Sequence, residues 1–156
     1  MKRKKVLFVC SGNTCRSPMA EVIFRAEIKR RKIKFVDSAS AGIFADTGGS
    51  ISAGSANCLD RMGLDYSKFV PRQLKHRMIG SSYLVVCMTP DQKALLDGTE
   101  NVYCVRDIAG FDIPDPYGKD QATYDKTAES IKKAVDIIIK KFFADGQYLK
   151  ESEVSK

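Results

Sequence analysis

Apolar residues along this chain follow two rhythms. Short, nearly unbroken apolar runs occupy residues 5–9, 33–39, 83–88 (YLVVCM) and 101–105 (NVYCV). Runs of that length, rich in β-branched residues, predict strands buried on both faces. Between them the apolar positions recur at helical spacing. Met19, Val22, Ile23 and Ala26 keep an i, i+3, i+4, i+7 stripe, with Ser17 suited to the N-cap and Pro18 to the first helical position. Residues 52–62 predict a helix closed by Gly63 at C′, and 74–79 and 91–96 predict short ones. The last helix has the clearest pattern. Tyr124, Ala128, Ile131, Val135, Ile138 and Phe142 form one stripe, and Lys126, Lys132, Lys133, Lys140 and Lys141 largely occupy the other side. Residues 40–49 and 65–73 predict irregular segments, and the two prolines and glycine of 112–118 force a loop.

Strands alternating with helices at such short intervals predict an α/β fold: a single-domain three-layer sandwich, a four-stranded parallel sheet with helices on both faces. The chain of 156 residues suits one domain, expected over 1–145, followed by a polar, frayed tail at 146–156. In such sheets ligands bind beyond the carboxyl ends of the strands. That directs attention to the segment after the first strand.

Composition narrows the classes. No apolar run approaches the roughly 18 residues needed to span a bilayer, and the apolar stretch after Lys2–Lys5 is too short for a secretory signal. No membrane association is expected, and the cytoplasm is the expected compartment. Five cysteines, an odd number without a CxxC pair, do not make a secreted disulfide framework, and with His76 as the only histidine no metal or other cofactor is expected. The net charge of +7 raises nucleic acid, yet no nucleic-acid motif accompanies the basic clusters Lys2–Lys5 and Lys29–Lys32. A solvated basic surface is the reading, with no nucleic-acid partner and a monomer expected.

Candidate chemistry gathers at Cys10-Ser11-Gly12-Asn13-Thr14-Cys15-Arg16-Ser17-Pro18. An apolar strand ends in a cysteine, an arginine follows six positions on, and a helix starts at once. Gly12 suits a positive φ, and Asn13 tolerates one while bracing the turn through its amide. Such a loop aims its N–H groups at a phosphate-sized anion, so a phosphate or sulfate is the expected occupant. A sulfur held there, near a guanidinium, favours the thiolate. The planar fork of Arg16 matches two equatorial oxygens of a phosphoryl group, and the Ser17 hydroxyl can serve the Cys10 sulfur when it leaves. Cys15 reads either as a partner for a reversible protective disulfide with Cys10 or as a buried filler. Cys58, Cys87 and Cys104 fall in element interiors and read as core.

The segment from Cys10 to Glu21 closely resembles the active-site signature of the low-molecular-weight protein tyrosine phosphatases, C-x-G-N-x-C-R-S-P-x-A-E, at every fixed position. Asp115-Pro116-Tyr117 resembles that family's D-P-[YF] loop, and Ser40-Ala41-Gly42 and Arg72-Gln73-Leu74 resemble further family segments. The resemblance implies phosphorylated proteins as substrates, Cys10 as nucleophile through a phosphocysteine, Arg16 and the loop amides as the oxygen clamp, and Asp115 as general acid. Phe44 and Tyr117 are the implied substrate walls.

Thr14 leaves the substrate open. Many tyrosine-specific members carry a larger aliphatic residue there, whereas the bacterial protein-arginine-phosphatase branch carries threonine. Phosphotyrosine is the first reading and phosphoarginine the alternative. A thioredoxin-coupled arsenate reductase is less favoured, because Cys87 and Cys104 are predicted in strands and not in a mobile loop. A non-catalytic phosphoprotein-binding module is disfavoured by the joint presence of nucleophile, anion clamp and general acid.

Overall fold

The computed structural model describes residues 3–96 and 100–143. The tail expected at 146–156 lies outside the described residues. In chain order the elements are β1 (Lys4–Cys10), α1 (Arg16–Arg30), β2 (Val36–Gly42), α2 (Ala53–Arg61), α3 (His76–Ser81), β3 (Leu84–Cys87), α4 (Pro90–Ala94), β4 (Val102–Cys104), α5 (Val105–Ala109) and α6 (Gln121–Phe143).

The four strands form one sheet in the order β2-β1-β3-β4, and every pairing is parallel. Alternation along β1 divides the core. Val6 and Phe8 pack with α1, α2, α5 and α6 on one face, while Leu7 and Val9 pack with Ile79 of α3 and with Leu96 on the other. Phe8, Phe24 and Phe143 form an edge-to-face chain through the larger layer, with centroids 5.6 and 6.1 Å apart. Fully burying a side chain of that size contributes on the order of 2–3 kcal/mol. From β1 the chain turns one way to β2 and later returns on the other side to β3. The carboxyl end of β1 is therefore the switch point of the sheet, where a crevice opens.

Several predicted boundaries move. Helix α1 starts at Arg16 with Cys15 as N-cap, so Ser17 and Pro18 lie inside its first turn, and the Ser17 hydroxyl is committed to Cys10. Strand β2 starts at Val36, because Lys32 (φ 57°) and Phe35 (φ 63°) are left-handed and break the apolar run ahead of it. It then continues through Ser40–Gly42, expected as loop, since those residues pair with Phe8–Cys10. Helix α3 begins two residues late, and α5, which directly follows β4, was not anticipated. At the end of α6 the buried aromatic is Phe143; Phe142 is half-buried and packs edge-on against Tyr103 at 5.7 Å. Ser52 does cap α2, and Gly63 follows it at φ +70°.

Candidate functional site

The loop between β1 and α1 is held from outside by its carbonyls. The Cys10, Ser11, Gly12 and Thr14 oxygens accept from the backbone N–H groups of Ile43, Phe44, Asp46 and Ser52 at 3.0, 2.9, 3.1 and 2.9 Å. The Cys15 carbonyl accepts from the Ser55 hydroxyl at 3.0 Å. In a trans peptide the N–H points opposite to the C=O. Carbonyls drawn outward thus turn the N–H groups of the next residues toward the concave side. Close approach of β2 is part of this design: a Cβ on Gly42 would sit 2.7 Å from the Ser11 carbonyl oxygen and 2.9 Å from the Asn13 nitrogen.

Asn13 is the brace. It is fully buried and left-handed at φ 58°, whereas Gly12, expected to take a positive φ, does not. Its amide donates to the Ser17 hydroxyl at 2.8 Å and to the Ser40 hydroxyl at 2.9 Å, and its carbonyl accepts from the Arg72 N–H at 2.9 Å. Ser40 in turn donates to buried Glu21 at 2.6 Å, which Arg25 neutralises at 3.0 Å. The family-like segments at 40–42 and 72–74 are thus the supports of the loop. Gln92 adds another, accepting from the Met88 N–H at 2.9 Å and donating to the Ser11 hydroxyl at 3.3 Å.

The concave side opens into a cavity of about 300 Å³. Cys10, Ser11, Gly12, Thr14, Cys15 and Arg16 line its floor, and Phe44, Asp46, Asp115 and Tyr117 complete it. The Cys10 sulfur lies 2.8 Å from the Ser17 hydroxyl. Arg16 is only 4% exposed. Its Nη1 donates to the Ile113 carbonyl at 2.9 Å, its Nη2 lies 3.7 Å from the Asp115 carboxylate, and its buried Nε has no acceptor. An unpartnered buried donor costs roughly 1–3 kcal/mol, more when it is charged, so an anion is the complement this floor lacks. Asp115 projects from the proline loop, half exposed, and accepts from the Tyr117 N–H at 3.1 Å. The loop is tied back by Ile113, whose N–H donates to the Met88 carbonyl at 3.2 Å. Phe44 and Tyr117, which line the cavity, are 78% and 73% exposed.

All the residues read as site residues from the sequence surround this cavity or support it. Asp46, Gln92 and Tyr124 were missed. Asp46 adds a second carboxylate beside the cavity, and no spacing marks it. The Tyr124 hydroxyl lies 3.3 Å from the Cys15 sulfur beneath the loop. Burial, then the Cys15 contact, push Tyr124 up to about 12, so it stays a phenol. Cys15 is a free buried thiol that also lies 3.8 Å from the Thr14 hydroxyl. Cys87 and Cys104 pair in register on adjacent strands, and burial pushes Cys87 up to about 12 and Cys104 upward. Thiols placed so are poor redox partners, which weakens the arsenate-reductase reading. A larger cavity, about 600 Å³, lies between Ile23 of α1, the Met62–Leu64 turn and Lys132 of α6. It contains no nucleophile and lies apart from the loop.

A profile of the low molecular weight phosphotyrosine protein phosphatase family matches residues 5–148. A low molecular weight protein-tyrosine-phosphatase from Acinetobacter johnsonii is 31% identical over 140 residues, covering 86% of this chain and 95% of that protein. A protein-arginine-phosphatase from Bacillus subtilis is 28% identical over 148 residues, covering 90% and 97%. The crystal structure of a low molecular weight protein tyrosine phosphatase from T. tengcongensis superposes with a TM-score of 0.83 at 34% identity, over 89% of this chain and 99% of that one. The Cys10 sulfur, the Arg16 guanidinium and the Asp115 carboxylate line one hollow at the switch point of the sheet. With that geometry and these likenesses together, the chain belongs to the low molecular weight phosphotyrosine protein phosphatase family.

Proposed function

We propose that the protein hydrolyses phosphotyrosine on protein substrates, with the phosphoryl group seated in the Cys10–Arg16 loop. The inward N–H groups and Arg16 hold the three equatorial oxygens and favour a thiolate at Cys10. The sulfur attacks phosphorus in line and the bond to the tyrosine oxygen breaks. Asp115 delivers its proton to that oxygen. In the second step Asp115, now a carboxylate, takes a proton from water as the water oxygen attacks phosphorus. The P–S bond breaks, and the Ser17 hydroxyl, 2.8 Å away, donates to the departing thiolate. Arg16 and the amides supply the positive field for both steps, so a monomer working without metal, cofactor or nucleic acid accounts for the chemistry. The cytoplasm is the compartment that keeps five free thiols reduced. Among the described residues no helix is long and apolar enough to cross a membrane.

The observation that carries this reading is a single cavity lined by Cys10, Arg16 and Asp115, with the buried Arg16 Nε left without an acceptor. The test is turnover of a phosphotyrosine peptide by wild type, Cys10→Ser and Asp115→Asn. Wild type turns over, Cys10→Ser does not, and Asp115→Asn slows by about 10²–10³-fold. Equal rates in all three would refute it. A second reading, phosphoarginine, is favoured by Thr14 and Asp46. A threonine in place of a larger aliphatic residue leaves room at the floor, and two carboxylates beside exposed aromatic rings suit a planar cation. The ratio of rates on phosphotyrosine and phosphoarginine peptides decides between them.

A further inference from the structure

Residues 66–90 contain no Asp or Glu, and within them lie Lys68, Arg72, Lys75 and Arg77. All four are exposed, as is His76 between the last two. Elsewhere Arg25, Arg31, Arg61, Lys93 and Arg106 each sit in an ion pair. Among the described residues Arg72, Lys75 and Arg77 make no ion pair, while Asp65, whose carboxyl is held low first by the Ser67 N–H, is lowered further by Lys68. The stretch therefore presents a positive ridge in which Arg72, Lys75 and Arg77 are without an ion-pair partner among the described residues.

Its position is fixed by hydrogen bonds to the rim of the cavity. Gly42 N–H donates to the Arg72 carbonyl at 2.9 Å, and Leu74 N–H to the Gly42 carbonyl at 2.8 Å. The Gln73 side chain clasps the next loop, accepting from Ala45 N–H at 2.9 Å and donating to the Ile43 carbonyl at 2.7 Å. That loop carries Phe44, at the cavity mouth. Val70, 59% exposed, adds an apolar step between Lys68 and Arg72. Exposed cations around an exposed aliphatic residue, on a segment bonded to the loop that carries Phe44, suit an extended acidic chain with occasional apolar side chains.

We propose that this ridge docks an acidic segment of the phosphorylated protein substrate while the phosphorylated side chain occupies the Cys10–Arg16 hollow. The proposal rests on the reading of that hollow as a phosphatase site. Rim charges of this kind act on encounter and KM more than on the chemical step, and salt screens them within a Debye length of about 8 Å at physiological ionic strength.

The experiment compares wild type with Lys68→Gln/Lys75→Gln/Arg77→Gln, none of which touches the hollow. The substrates are p-nitrophenyl phosphate and two phosphotyrosine peptides, one flanked by glutamates and one by serines. Wild type should favour the acidic peptide about tenfold in kcat/KM, through KM, and lose that preference at high salt. The triple variant should lose the preference and keep its p-nitrophenyl phosphate rate. Equal wild-type rates on both peptides, or a parallel loss on p-nitrophenyl phosphate, would overturn the proposal. Fluorescence anisotropy of the unphosphorylated acidic peptide separates this claim from the site reading: if no substrate turns over but this binding is tight in wild type and weak in the variant, the hollow was misread and the ridge stands. Equally tight binding of a single-stranded oligonucleotide would assign the ridge to nucleic acid and overturn it.

Discussion

Replacing Asn13 by alanine tests how the loop is held. The side chain makes three hydrogen bonds at 2.8–2.9 Å inside the protein, to Ser17, Ser40 and the Arg72 N–H. At about 1 kcal/mol net each, their loss costs on the order of 3 kcal/mol. Asn13 also sits at φ 58°, where alanine lacks the local side-chain bonding that eases asparagine into the left-handed region, adding about 1 kcal/mol. The sum, about 4 kcal/mol, corresponds to a fall in Tm of roughly 8–16 °C for a chain of this size. Activity should fall further than stability, because loop N–H groups displaced by about 1 Å no longer meet the phosphoryl oxygens, a loss of about 10²-fold or more. Asn13→Asp separates the effects. It keeps the left-handed preference and the acceptor for Arg72 but puts a negative charge behind an anion site. Urea unfolding and p-nitrophenyl phosphate turnover, measured on both variants, decide the matter. If Asn13→Ala unfolds within about 1 kcal/mol of wild type and keeps its kcat, the asparagine is not the brace described here.

Gly42→Ala should be costly, about 2–3 kcal/mol, since its Cβ would meet backbone atoms 2.7 and 2.9 Å away, whereas Gly80→Ala on α3, with nothing within 4 Å, should be neutral or stabilising by up to about 1 kcal/mol; chemical denaturation of the pair checks both. Asp46→Asn should lower kcat/KM on a phosphoarginine peptide about fivefold and leave the phosphotyrosine rate within about twofold, if the second carboxylate meets a cationic leaving group; an equal fall on both would mean a structural role. Asp136 on α6 is held below its ordinary value of 3.8, first by the Arg31 guanidinium at 2.7 Å and then by Lys140. A depressed carboxylate stabilises the fold above its unfolded pKa and ceases to as pH falls through the folded one. Asp136→Asn should therefore cost up to about 1 kcal/mol at pH 7 and progressively less below about pH 4, a convergence that urea unfolding at several pH values reads.

Much of the molecule was legible because its signals are short-range. The unbroken runs at 5–9 and 83–88 announce buried parallel strands, and the α6 stripe with its lysines needs no tertiary context. The cysteine, arginine and aspartate that meet at the cavity were visible because the Cys10–Pro18 and Asp115–Tyr117 segments carry them in fixed spacing. Other features depend on contacts made far along the chain. Residues 33–35 look like strand, and only the left-handed turns at Lys32 and Phe35 delay pairing to Val36. Ser40–Gly42 read as loop by composition, yet β1 recruits them into the sheet. Ser17 has the chemistry of an N-cap, but its hydroxyl is claimed by Cys10 and Asn13. Asp46, Gln92 and Tyr124 reach the site only through folding of their elements around the loop. The basic stretch at 68–77 likewise escaped notice because its cations are interrupted in sequence and only folding ties their segment to the Phe44 loop.

The central claim is that the Cys10 sulfur receives the phosphoryl group. Its most direct measurement is rapid acid quench of wild type turning over a phosphotyrosine peptide, followed by mass spectrometry of the Cys10 peptide. A phosphoryl group on Cys10 within the first turnover, with none at position 10 in Cys10→Ala, is the predicted result. Undiminished turnover with phosphorus never found on Cys10, or found on another residue, would contradict the account.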